Sequence, residues 1–160
     1  MDASFNKNYG DILHRLKDRI RQSRLRAILS VNKELLNVYW EIGNTILFQQ
    51  QEEGWGTKVI DRLVTDLKIE FPDMQGLSSR NVKYMRAFAT AWPDFLNMQQ
   101  PVAQSQNVDI EGNVIVQQAI AQLPWGHICS LLDKLKENKE RLFYAQKAVE
   151  LGWTRNMLIN

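Results

Sequence analysis

The sequence predicts an all-α fold, and three observations carry that prediction. Residues 9–51 hold no proline, and their apolar positions step along at roughly heptad spacing. Residues 55–92 read as helix, connector, helix. Residues 114–160 repeat short helical stripes separated by turn signals. The expected architecture is a long N-terminal helical arm with a helix-turn-helix-like lobe (1–96), a linker or exposed loop (97–113), and a second small helical lobe (114–160).

The arm comes first. Met1 to Asn8 reads as a frayed start. From Leu13, the positions Leu16, Ile20, Ala27, Val31, Leu35, Val38, Ile42 and Ile46 form one stripe. A single helix over this span is about 60 Å long at ~1.5 Å per residue. Two helices restarting at Val31, with Ser30 as cap, fit equally well. Such a stripe exceeds what a small lobe can cover, which predicts a homodimer. Tyr39 and Trp40 place residues 35–46 at the centre of the core. Gly43 costs a helix about 1 kcal/mol relative to Ala, and close approach of another helix is the usual compensation.

In the lobe, Val59, Ile60, Leu63, Val64, Leu67 and Phe71 line one helix that Pro72 stops. Asp73 to Gly76 turn the chain, and Ser78 caps a second helix. Val82, Met85, Phe88, Ala89 and Trp92 fall on one side of that helix. Arg80, Lys83, Tyr84 and Ala87 fall opposite, with Arg86 on the flank. The six-residue connector is longer than the 3–4 residues of a tight helix-turn-helix, so the motif is helix-turn-helix-like.

Residues 97–113 are rich in Gln and Asn, carry Pro101 and Gly112, and show no stripe. Beyond them, Val116, Ala119, Ile120 and Leu123 mark a short helix. Pro124 suits the first turn of the next, which carries Trp125, Ile128 and Leu131. Lys136 to Asn138 turn the chain. A helix from Arg141 to Leu151 ends at Gly152, with Trp153 as the accompanying apolar contact. Thr154 caps a last helix, cut by the chain end at Asn160, which implies a fragment of a longer protein.

Composition narrows the function. The 160 residues are 44% hydrophobic, enough to fold and bury a core, and the net charge is only +2. Charge distribution is therefore more informative than its total. Residues 1–30 hold seven Lys/Arg against three Asp/Glu, and residues 74–91 hold three basic residues and no acid. Cys129 is the only cysteine, which excludes an intramolecular disulfide; among Ile128, Leu131 and Leu132 it reads as an inert thiol. No signal peptide or membrane span is evident, so a cytoplasmic protein is expected. Phosphate-loop, nucleophile-elbow and zinc-helix motifs are missing. His14 and His127 read as structural. Pro93-Asp94 followed by Glu137-Asn138-Lys139 matches the letters of a PD-(D/E)XK nuclease. That site needs its carboxylates on strands around a divalent cation; this triplet sits in a polar turn and is dismissed.

Four ordered blocks, WGTKVIDRLVTDLKIEFPD, GLSSRNVKYMRAF, LPWGHICSLLDKL and FYAQKAVELGWTRNML, resemble the N-terminal helical domain of the YhcG-type PD-(D/E)XK nuclease family. The resemblance covers nearly all of residues 13–160. It implies a bacterial, DNA-associated protein whose nuclease domain, with any magnesium ion, lies outside this chain. It assigns no roles within the helical domain.

The expected function is DNA binding or targeting, plus dimerisation, for an attached nuclease. No catalytic centre, cofactor, membrane or small-molecule substrate is expected. Helix geometry nominates Ser79, Arg80, Lys83, Tyr84 and Arg86 as DNA contacts. Arg80 and Lys83 would meet phosphate or guanine, Tyr84 would stack or bond to the backbone, and Ser79 would meet phosphate at the helix N-terminus. Arg15, Arg19, Arg24 and Arg26 are secondary candidates, spread with Arg21 around the first helix. The rival reading is a protein-interaction module with a merely solvated basic face.

Overall fold

The computed structural model of the chain describes residues 3–96 and 119–160. The linker read at 97–113 lies outside the described residues, as does the start of the short helix marked by Val116, Ala119, Ile120 and Leu123, of which Ala119 to Ala121 are helical. The described residues form helices and turns with no strand, so the fold is all-α.

Helix α1 runs unbroken from Ala3 to Glu52, about 75 Å at ~1.5 Å per residue. It does not restart at Ser30, and the described residues before Tyr9, from Ala3 on, are helical rather than frayed. Arg, Leu, Lys and Glu are good helix formers, and one interior serine costs well under about 1 kcal/mol. The helix changes environment along its length. From Asn6 to Ile28 every side chain except Asp18 is exposed. From Leu36 onwards one face is buried through Leu36, Tyr39, Trp40 and Ile46. The first half is an arm that projects from the core anchoring the second.

The anchor is a close crossing with α3 (Ser79–Ala91). A Cβ placed on Gly43 would collide with the Met85 carbonyl and lie 2.9 Å from the Arg86 nitrogen. The backbones touch there, which accounts for a glycine inside a helix. Val82, Met85, Phe88 and Ala89 are buried on the α1 side of α3. Trp40 Nε1 donates to the Trp92 carbonyl at 2.9 Å, tying the C-terminal end of α3 to the middle of the buried half of α1.

Helix α2 (Thr57–Glu70) packs through Ile60 and Val64. Val59 and Phe71, read as part of that stripe, are instead 41% and 52% exposed. Ile60 and Val64 pack against Ile46 of α1 and Val82 and Met85 of α3, with Met74 of the connector alongside, which covers only a narrow strip of α2. The connector to α3 is shaped by Gly76 at φ 91°. A Cβ there would strike the Tyr39 hydroxyl, which donates to the Gln75 carbonyl at 3.3 Å. Ser78 caps α3 as expected, its hydroxyl accepting from the Asn81 amide at 3.1 Å.

Helices α4 (Trp125–Lys134), α5 (Asn138–Leu151) and α6 (Arg155–Ile159) complete the described chain. Pro124 stands at the cap of α4 rather than in its first turn. Helix α5 starts three residues before the expected Arg141, because Glu137 takes the extended cap conformation. Gly152 adopts φ 63° and ends α5, with the Trp153 amide donating to the Ala148 carbonyl at 3.0 Å. Thr154 caps α6 by accepting from the Met157 amide at 3.3 Å.

One apolar core joins both parts. Leu36, Trp40, Phe88, Trp92 and Phe95 pack with Ile120, Leu123, Ile128, Leu131, Ala145 and Ala148. Phe88 lies at its centre, edge-on to Trp92, Phe95 and Trp125 at 5.0–5.7 Å between ring centres. Polar clamps hold the seam: Asn138 Nδ2 donates to the Ala91 carbonyl at 2.7 Å, and Asn32 Nδ2 to the Leu123 carbonyl at 2.8 Å.

Candidate functional site

The five nominated residues of α3 do not share one environment. Arg80 and Lys83 are exposed, and neither has an ion-pair partner among the described residues. The Ser79 hydroxyl is exposed but donates to Asp61 Oδ1 of α2 at 2.8 Å. The Tyr84 hydroxyl donates to Asp133 Oδ2 of α4 at 2.6 Å. That bond raises the Tyr84 pKa, against the opposing pull of the Arg80 guanidinium beside it. Arg86 is half-buried, and its Nε is out of solvent with no hydrogen-bond partner. The exposed strip of α3 therefore offers two cations without ion pairs, Arg80 and Lys83, between two carboxylates.

Those carboxylates escaped the helical wheel. Asp61 and Asp133 lie 18 and 49 residues from the groups they bind, so no local periodicity places them. They reduce the net positive charge of the face and occupy the two hydroxyls expected to meet phosphate.

A cleft of about 690 Å³ opens beside this strip. Tyr39, the Gly76 turn, Asn81, Tyr84, Trp125, Cys129 and Asp133 line it, with Arg80 and Arg155 adding positive charge. Its polar groups are largely committed. Trp125 Nε1 donates to Asn81 Oδ1 at 2.6 Å, Asn81 Nδ2 donates to the Gly76 carbonyl at 2.7 Å, and Arg155 Nε donates to the Ser130 hydroxyl at 3.2 Å. Burial, and to a lesser degree Asp133, push the Cys129 thiol up to about 12, so it is neutral and a poor nucleophile. The Tyr39 hydroxyl is likewise raised by burial.

The arm arginines stand apart from this cleft. Arg15, Arg19, Arg24 and Arg26 are all exposed on the free half of α1. Interleaved with them are exposed apolar side chains, including Tyr9 at 60%, Ile20 at 53% and Val31 at 71%. His14 faces Asp18 at 3.3 Å on the arm surface. His127 is half-buried with Nε2 2.8 Å from the Trp153 carbonyl, a structural bond.

The dismissed nuclease letters sit in turns and helix starts. Asp94 lies in the turn after α3, Glu137 at the cap of α5 and Lys139 in its first turn. No cluster of three metal-ligating side chains gathers among the described residues. No helix among them is long and apolar enough to cross a membrane.

Comparison with known proteins gives one family. No curated protein and no solved structure matches the chain. The model of the DUF1016 N-terminal domain matches residues 15–160, nearly the whole chain, from the middle of the arm to the last residue. The chain therefore belongs to the DUF1016 N-terminal domain family.

Proposed function

We propose that the chain is an interaction module whose working surface is the projecting half of α1, serving to bring a bacterial, cytoplasmic nuclease of the YhcG type to its site of action. One observation carries this reading. About twenty residues of helix stand free of the core while displaying a row of exposed large apolar side chains. An isolated helix gains little in water from such a row, and most helical stability comes from packing an apolar face. Contiguous exposed apolar surface on a folded protein marks a docking site. The nuclease association rests on the family resemblance, and the catalytic chemistry would belong to a domain outside this chain.

A second reading, direct DNA binding, is favoured by the exposed cations Arg80 and Lys83 and by the arm arginines. Its weakness is the pair of carboxylates beside α3. Photo-crosslinking in cells separates the readings. A photoreactive residue at position 16, in the apolar row, should give a discrete protein adduct, and one at position 18, on the far side, should not. Equal smears from both positions, or none, would sink the interaction reading. Nucleic-acid adducts would promote the second.

A further inference from the structure

The apolar row of the arm is narrow, and what borders it fixes the chemistry of its partner. Tyr9, Leu13, Leu16, Ile20 and Ala27 repeat at alternating spacings of four and three, with Ser23 in one heptad position. At about 100° per residue they fall within about 60° of one another around α1. That strip has the width of a coiled-coil seam; the exposed Ile12 stands at its edge, and the exposed Leu25 and Ile28 lie off it. The seam also avoids the core. Leu36, Tyr39, Trp40 and Ile46, the buried positions of α1, centre about 145° away from it around the helix. A second helix can therefore lie along the seam without displacing α3.

With Leu16 and Ile20 as the two seam positions of a heptad, the flanking positions are Lys17 and Arg24 on one border and Arg19 and Arg26 on the other. All four are basic and exposed. Residues 8–33 hold two acids, Asp11 and Asp18, and both fall at the heptad position farthest from the seam. Asp18 reaches Arg21 at 3.3 Å and His14 at 3.3 Å, away from both borders. The four border cations thus have no ion pair within the described residues.

Flanking charges choose coiled-coil partners. Two parallel copies of this arm would set Arg19 against the partner copy's border arginine. Two antiparallel copies would set each basic border against itself. Either arrangement pairs like charges over residues 17–26. Duplex DNA would neutralise the cations but leave the apolar row exposed to water. We propose, building on the interaction reading, that the arm receives an acidic amphipathic helix of another protein, with an apolar stripe of about three heptads flanked by Glu or Asp on both sides.

The test is a fluorescence-anisotropy titration of the 160-residue chain with two synthetic four-heptad peptides. Both carry Leu and Ile in the seam; one has Glu at every flanking position, the other Lys. We expect binding of the Glu peptide, at least on the order of tenfold tighter than the Lys peptide. Reversing Arg19, Arg24 and Arg26 to Glu should transfer the preference to the Lys peptide. Ile20→Glu should abolish binding of both while circular dichroism stays that of the parent. Equal binding of both peptides, or concentration-dependent self-association lost with Ile20→Glu, would overturn the acidic partner but keep a docking seam. No peptide binding would overturn both. Binding confined to anionic vesicles or duplex DNA, unaffected by Ile20→Glu, would also overturn both.

Discussion

Gly43→Ala is the substitution whose effect follows most directly from the coordinates. The added Cβ would collide with the Met85 carbonyl oxygen and carbon and stand 2.9 Å from the Arg86 nitrogen. All three are backbone atoms, so no side chain can rotate away and α1 must move off α3. Overpacking of this kind costs about 1–3 kcal/mol, and a clash with rigid backbone belongs at the upper end. The alanine returns about 1 kcal/mol of helix propensity. The net loss is then about 1–2 kcal/mol. For a chain of this size each kcal/mol moves Tm by roughly 2–4 °C, so Tm should fall by about 2–8 °C. The control is Gly10→Ala on the arm, where an added Cβ meets nothing within 4 Å. That change should leave Tm unchanged or slightly higher. Thermal denaturation followed by circular dichroism at 222 nm measures both. A Gly43→Ala protein that melts at or above the parent would refute the close crossing and the anchoring of the arm.

Other expectations follow from single contacts. Asn81→Ala leaves the Trp125 N–H and the Gly76 carbonyl without partners; urea denaturation should show a loss of about 1–3 kcal/mol. If α3 binds DNA, Arg80→Ala and Lys83→Ala should each lower the slope of log K against log salt by about 0.9 in mobility-shift titrations, with Lys136→Ala and Lys139→Ala as charge-matched controls. Unchanged binding by the double variant would leave the arm arginines as the only DNA candidates. Cys129 should resist alkylation at neutral pH. Its thiol pKa is raised from 9.0 to about 12, so the native state holds that proton where the unfolded chain has lost it. The stabilisation is complete below about pH 9 and is lost as pH rises towards 12. Cys129→Ala should therefore flatten the alkaline limb of the stability curve. Purified chain should not nick DNA with magnesium; nicking abolished by Glu137→Ala would reinstate the dismissed triplet.

Much of the fold was legible because its signals are local. Ser78, Thr154 and Gly152 act where their residue types and neighbours placed them, and Gly43 marked a close helix approach before any partner was known. The apolar side of α3 was readable from spacing alone. What failed depended on distant sequence. Val59 and Phe71 fit the α2 stripe, yet burial depends on how wide a strip its neighbours cover. Ser30 had the chemistry of a cap, but nothing nearby breaks the helix, so α1 continues. The candidate site suffered most. A wheel shows which way Ser79 and Tyr84 point but not that Asp61 and Asp133 stand waiting there, and it placed Arg86 on a flank that the α1 crossing half-buries. The arm's basic borders were also present in the letters. They gained meaning only once α1 proved continuous and its free face distinct from its buried one.

Hydrogen exchange along α1 tests the central claim most directly. In the free protein, amides of residues 8–31 should exchange far faster than those of residues 36–47, which are pinned against α3. Adding the Glu-flanked peptide should slow exchange across 8–31 and leave 36–47 and α3 unchanged. Uniform protection along α1 in a monomer would contradict a free docking arm, and so would peptide protection that appears on α3 instead.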